Sequence, residues 1–229
     1  MRLDLRYILL VLISLPKSIC FNFRCLPFML ALKLPFFIHY RTHVTLKNAR
    51  VCIDSTTPVR LFMVKFGNRG SEGIVENKYN NIIINGGSLI FKGNAAFGIG
   101  SSIRVEGEMI VGESFSSNRN TFISCTHKIS FGKKVLMGWN VSVRDSDGHT
   151  LMYDGCKHST IAPVSIGANV WICAETHILK GTIVGDNSVV GYASLLSKGS
   201  DENNVLWAGH PAKIVKQNIT WDSSAWDVE

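Results

Sequence analysis

His149 closes the run Arg144-Asp145-Ser146-Asp147-Gly148-His149, which sets one imidazole near two carboxylates. A neutral imidazole, with an ordinary pKa near 6.5, can take the proton of an attacking hydroxyl, and a base so placed contributes roughly 10²–10⁴-fold. A carboxylate on the other ring nitrogen would fix the tautomer, and Asp145 and Asp147 are near enough in sequence to serve. A lone histidine in a loop is more often a solvated surface residue, so the pattern around it has to decide.

That pattern is a repeat of six. Ile166, Ile172, Ile178, Val184, Val190 and Leu196 recur at this interval, each preceded two residues earlier by Val164, Val170, Thr176, Thr182, Ser188 or Ser194. Neither a 3.6-residue nor a two-residue period holds this register for so long. The same beat runs through Ile99, Val105 and Val111, then Phe131, Met137 and Val143. The interval of twenty from Val111 to Phe131 predicts a two-residue slip within Ser114–Thr126. Three hexapeptides per turn build a triangular parallel solenoid with the aliphatic side chains inside, and such a coil needs neighbours and end caps. The expected organisation is all-β, a parallel β-helix over 51–205, with a cap or membrane-surface segment at 1–50 and a tail at 206–229. Between Val143 and Val164 the beat stops. Residues 144–163 are therefore read as a loop extruded from a rigid scaffold, with His149 on it.

The ordered set of motifs resembles the hexapeptide-repeat acetyltransferases. It comprises Ser146-Asp147-Gly148-His149, Pro163-Val164-x-Ile166-Gly167-x-x-Val170-Trp171-Ile172, Gly181-x-x-Val184-Gly185 with Ser188 to Gly191, and Ala208-Gly209-His210-Pro211-Ala212-Lys213. Asn218-Ile219-x-Trp221 resembles the tail of the bacterial subset that O-acetylates capsular polysaccharide and O-antigen. The resemblance implies a left-handed parallel β-helix, acetyl-CoA as donor, a sugar hydroxyl as acceptor, no metal, and a homotrimer with sites between neighbouring prisms. It also implies roles for particular residues. His149 is the base, Asn118 an acceptor contact, and Trp171 a contact to acceptor or cofactor. Ala174, Tyr192, Ser197 and Lys198 line the coenzyme, with Pro211 and Lys213 near its pantetheine or nucleotide. Thr126 stands where some members carry an acidic residue for the acceptor. Three other readings stay open: N-acetylation of a nucleotide-linked amino sugar, a zinc carbonic-anhydrase-like solenoid using His127, His149 and His177, and a non-catalytic scaffold.

Composition bounds the rest. The 229 residues are 46% hydrophobic and 18% charged, which fits one folded domain rather than a disordered chain or a polytopic membrane protein. All the net charge of +7 sits in residues 1–50, which hold eight basic residues against Asp4; the remainder carries sixteen of each sign. No nucleic-acid partner is expected. The six cysteines lack a C-x-x-C pair and read as free thiols in a reducing cytoplasm. Tyr7–Leu15 is an apolar run of nine residues that Pro16-Lys17 is expected to end, too short to span a bilayer and followed by no small-x-small cleavage site. Two readings follow. Either the segment packs on the solenoid with Leu9, Leu12, Phe23 and Phe28 buried, or it rests on the inner face of an anionic membrane.

Overall fold

The computed structural model describes residues 5–54, 56–68 and 79–222. Short strands with alternate side chains inward bury one side only, and they find partners one coil away. The helix α1 (Leu5–Cys25) and the single turn α2 (Phe28–Ala31) precede the first coil, formed by β1 (Phe36–Ile38), β2 (Thr42–Lys47) and β3 (Arg50–Ile53). The second coil holds β4 (Val64–Asn68), β5 (Asn80–Asn85) and β6 (Ser88–Phe91). The third holds β7 (Ala95–Gly98), β8 (Ser102–Val105) and β9 (Glu108–Val111), and the fourth β10 (Phe115–Ser117), β11 (Phe122–Cys125) and β12 (Lys128–Phe131). In the fifth, β13 (Leu136–Met137) and β14 (Ser142–Arg144) are separated from β17 (Val164–Ile166) by a hairpin of β15 (Leu151–Tyr153) and β16 (Cys156–His158). Then come β18 (Trp171–Ile172), β19 (His177–Ile178), β20 (Ile183–Val184), β21 (Val189–Val190) and β22 (Leu195–Leu196). The antiparallel pair β23 (Leu206–Gly209) and β24 (Ala212–Lys216) closes the end.

The three faces are three parallel sheets. The first runs β1-β4-β7-β10-β13-β18-β21-β23, the second β2-β5-β8-β11-β14-β19-β22, and the third β3-β6-β9-β12-β17-β20, which makes the expected left-handed β-helix. Two boundaries differ from the sequence reading. The solenoid begins at Phe36, inside the segment 1–50 that was set apart as a cap. The two-residue excess expected within Ser114–Thr126 lies there, but it recurs in the neighbouring coils and is no local slip. Phe91, Val111 and Phe131 stack in register, as do Ser102, Phe122 and Ser142, so the third and fourth coils are regular turns of twenty residues. Ile99 lies at a half-buried corner rather than in the core. After the loop, Trp171 stacks with Val189 and His177 with Leu195, eighteen residues apart.

The extra two residues widen the second face, where Thr121, Ile123 and Cys125 all point inward, against Thr176 and Ile178 later on. A wider prism needs larger side chains to reach protein packing density. Phe66 and Phe97 stack at 4.8 Å, and Phe97–Phe115 and Phe115–Phe131 follow at 5.0 Å. No phenylalanine occurs after Phe131, and the narrow coils are filled by Ile, Val and Leu. The small residues of the repeat are also buried, and their hydroxyls bond the next coil: Thr176 Oγ1 donates to Gly191 O and Thr182 Oγ1 to Leu196 O, both at 3.2 Å.

The N-terminal helix departs most from expectation. It runs 21 residues through Pro16 and is long and apolar enough to cross a membrane. Pro16 removes one helical N–H, but the flanking Lys17 anchors the helix by donating to the carbonyls of Tyr40 (2.7 Å) and Thr42 (2.9 Å). Leu9, Leu12, Phe23 and Phe28 are exposed, contrary to the packed-cap reading; Ser14, Ser18, Phe21 and Asn22 are the buried side chains.

One carboxylate holds the place where the fifth coil breaks. In the third coil the corner amides of Glu106 and Gly107 bond Cys125 O (2.7 and 3.2 Å), and Glu108 N–H bonds His127 O (2.8 Å). One coil on, the equivalent amides of Thr126, His127 and Lys128 have no such carbonyls above them, because the chain leaves the prism. Asp145, fully buried in the slot that Val105 and Cys125 fill below it, accepts all three at 2.7 Å each. Asp145→Val keeps a side chain the slot already accommodates at Val105 but strands three part-buried amide donors. It should lower unfolding free energy by about 3 kcal/mol or more in urea titration; a variant as stable as the wild type would mean the carboxylate is dispensable.

Candidate functional site

Beyond Asp145 the loop is tied at its root and free at its tip. Ser146 bridges Ile161, Asp147 N–H bonds Thr160 O (2.9 Å), and Ala162 N–H bonds Asp145 O (3.0 Å). Lys180, at the corner after β19, clamps both limbs. Its Nζ lies 2.6 Å from the Asp147 carboxylate and 2.5 Å from Ser159 O. Further out, β15 and β16 pair with Tyr153 opposite Cys156, leaving Asp154-Gly155 as a two-residue turn with φ of 49° and 72°. Positive φ at both positions is what an Asp-Gly hairpin turn supplies. Both strands are wholly exposed, with Leu151, Met152 and Tyr153 outward.

His149 sits between root and hairpin. It is exposed and makes no hydrogen bond among the described residues. Neither aspartate serves it as the sequence suggested. Both oxygens of Asp145 are taken by backbone amides, so this residue roots the loop, and Asp147 is paired with Lys180. Beside the loop, the second face carries a cavity of about 370 Å³ lined by Arg104, Thr126, Arg144, Ser146, Asp147 and Gly148, among others. Arg104 is paired with Glu106, whereas the Arg144 guanidinium lies 5.6 Å from the centre of the Phe122 ring. The sequence reading missed Arg144 and Lys180. The six-residue count sets Arg144 one step beyond the inward Val143, facing out beside the loop, which was the available signal.

The other expected residues fall on separate edges of the prism. Asn118, Ala174 and Tyr192 lie at the corner between the first and second faces. There Asn140 N–H bonds Arg119 O, Glu175 N–H bonds Trp139 O and Ala193 N–H bonds Ala174 O, which stacks successive coils in one column. Ala174 is buried and Tyr192 is exposed. Ser197 and Lys198 follow β22 on the next corner, in the column of Lys180 and the loop root, and both are exposed. Trp171 projects from the first face, half-exposed, with its ring 5.9 Å from Trp221, whose indole N–H donates to Asn169 O (2.8 Å). Pro211, after a cis bond from His210, and exposed Lys213 belong to the terminal hairpin. The chain thus places Ser197 and Lys198 with the loop root, and Trp171, Pro211 and Lys213 on the first face away from it. His127, His149 and His177 do not converge within the chain, where no three His, Cys, Asp or Glu come together among the described residues; the His177 ring nitrogen is 2.9 Å from Ser142 Oγ. Burial raises the thiols of Cys125, to about 12, and Cys173, to about 11, so neither is a nucleophile at neutral pH.

The similarities of the chain agree with this geometry. Residues 163–198 match the family model described as bacterial transferase hexapeptide, six repeats. Over 123 residues the chain is 32% identical to a galactoside O-acetyltransferase of Escherichia coli K12, covering 53% of this chain and only 57% of that one. It is 29% identical over 147 residues to WbbJ of the same organism, named for O-acetyl transfer in lipopolysaccharide biosynthesis, covering 59% and 74%. In fold it resembles the polysialic-acid-specific acetyltransferase NeuO, with a TM-score of 0.61 at 20% identity over 83% of this chain and 81% of that one.

Lys180→Met tests the clamp. The pair is partly exposed, so stability should change by about 1 kcal/mol or less, while trypsin cleavage after Lys157 should quicken several-fold as the loop root loosens. Unchanged cleavage would show that the loop does not depend on Lys180. The chain carries the hexapeptide repeat of bacterial transferases on a left-handed β-helix, and its relatives are acetyltransferases.

Proposed function

We propose that this protein moves an acetyl group from acetyl-CoA to a sugar hydroxyl of a capsular polysaccharide, an O-antigen or one of their precursors, with His149 as base. The observation that carries the proposal is an imidazole with no partner among the described residues, on a loop tied at its root by Asp145 and Lys180, beside a polar cavity. The neutral ring takes the hydroxyl proton as the oxygen attacks the thioester carbonyl. A corner backbone N–H steadies the oxyanion, and the imidazolium returns its proton to the departing thiolate. The names of two relatives, a galactoside O-acetyltransferase and a lipopolysaccharide O-acetyl transferase, favour a sugar alcohol as acceptor.

Two features support a homotrimer. Trp171, Pro211 and Lys213 lie away from the His149 loop, so a site using them all needs a neighbouring prism. The β15–β16 hairpin has no core of its own, and an isolated hairpin of this size is marginal in water, so its Leu151, Met152 and Tyr153 need a surface to cover them. Lys198 and Lys213 are exposed and without a carboxylate partner among the described residues, which suits them to the coenzyme phosphates.

The test is a screen of sugar acceptors with acetyl-CoA, read by mass spectrometry before and after hydroxylamine. The expected product is an ester that hydroxylamine removes; a resistant product is an amide and would assign the chain to amino-sugar N-acetylation. His149→Ala should lower kcat by about 10²–10⁴-fold with little change in coenzyme affinity. A variant keeping more than about a tenth of wild-type kcat would take His149 out of the mechanism. Light scattering should give a trimer, and a fully active monomer would contradict a shared site.

A further inference from the structure

The helix α1 is amphipathic the wrong way round for a soluble protein. Its inward stripe is polar, with Ser14, Ser18 and Asn22 spaced by four and all fully buried. These side chains terminate the open edge of the first sheet. Tyr40 N–H donates to Ser14 Oγ (3.1 Å), Ile38 N–H to Ser18 Oγ (2.9 Å) and Phe36 N–H to Asn22 Oδ1 (3.1 Å), while Asn22 Nδ2 donates to Phe36 O (2.7 Å). An unpaired strand edge is thereby closed by side chains instead of another strand. The apolar residues are left to the outside. Leu5, Leu9, Leu12, Ile13 and Phe23 are exposed, Leu9 and Leu12 by more than half, and Phe28, Met29 and Leu32 of α2 and its cap extend the same apolar patch.

A contiguous apolar face of this kind marks an interaction surface. Its occupant is indicated by charge. Residues 5–34 carry Arg6, Lys17, Arg24 and Lys33 and no acidic residue, so two copies meeting through this face would bring like charges together, whereas an anionic bilayer surface complements them. The polar stripe also fixes the mode of contact. A helix held to β1 by these hydrogen bonds and by Lys17 lies against the end of the prism and offers lipid only its outer side, although its 21 residues reach about 31 Å, the thickness of a hydrocarbon core. We propose that α1 and α2 form a docking face that seats the N-terminal end of the solenoid on an anionic phospholipid bilayer, lying in the interface without crossing it. This inference is independent of the reaction assigned to the loop.

Flotation of the full chain with phosphatidylcholine vesicles, with and without phosphatidylglycerol, tests it. Recovery should require phosphatidylglycerol, fall several-fold at high salt, and be lost in alkaline carbonate. Leu9→Glu with Leu12→Glu, and separately Phe28→Glu with Met29→Glu, should each weaken binding by about tenfold or more while melting temperature and oligomeric size stay at wild-type values. Five results would overturn the proposal: no recovery with either vesicle, equal recovery with both, recovery that resists carbonate, recovery unaffected by both pairs, or a lowered melting temperature with both. Self-association without vesicles that the pairs disperse would assign the face to a second copy of the chain instead.

Discussion

A parallel solenoid depends on its neighbouring coils: its corner amides find their acceptors one coil away, mostly on backbone carbonyls and in places on a side chain such as Asp186. A loop cannot leave such a structure without stranding the amides below its exit. Here the chain leaves after β14, and the part-buried amides of Thr126, His127 and Lys128 would lose their acceptors, at about 1 kcal/mol or more each. The Asp145 carboxylate stands in for the missing carbonyls, with two oxygens serving three donors. The other features of the site follow from that substitution. It fixes the exit point, Asp147 and Lys180 then set the direction of the departing limbs, and His149 is carried outward with its imidazole unengaged.

The same break separates two kinds of prism. Before it, twenty-residue coils have a longer second face and a phenylalanine column; after it, eighteen-residue coils have a narrower section filled by aliphatic residues and by Thr and Ser hydroxyls bonded to the next coil. The inward slot of Val105, Cys125 and Asp145 is the one the narrow coils lack. Placing the carboxylate in the last such slot lets the wide coils end without an exposed ladder of amides.

Much of this was legible in the residues. The six-residue beat from Ile166 to Leu196 predicts the later coils one by one, because each hexapeptide is a strand plus a corner with no insertion. The stop after Val143 predicts the loop. The wide coils were harder to read. Two added residues per turn look like a slip when only Val111 and Phe131 are compared, and Phe91, which would have shown the regular twenty, was not counted. The role of Asp145 was illegible because sequence proximity to His149 suggests a shared site, whereas its bonds are to residues seventeen to nineteen positions earlier. Asp154-Gly155 is a standard hairpin signal that the irregular loop text obscured. The helix was misread at Pro16, since the bonds carrying it past the proline come from β1 and β2 and leave no local trace.

Amide hydrogen exchange by NMR is the most direct test of the carboxylate substitution. In the wild type, the amides of Thr126, His127 and Lys128 should exchange as slowly as those of Glu106, Gly107 and Glu108, which bond ordinary carbonyls. In Asp145→Asn, one acceptor oxygen is replaced by a donor. Protection should then fall by about tenfold or more either at Thr126 or at the His127–Lys128 pair, with the 106–108 amides unchanged. Fast exchange at 126–128 in the wild type, or a uniform loss of protection across both corners in the variant, would contradict the account.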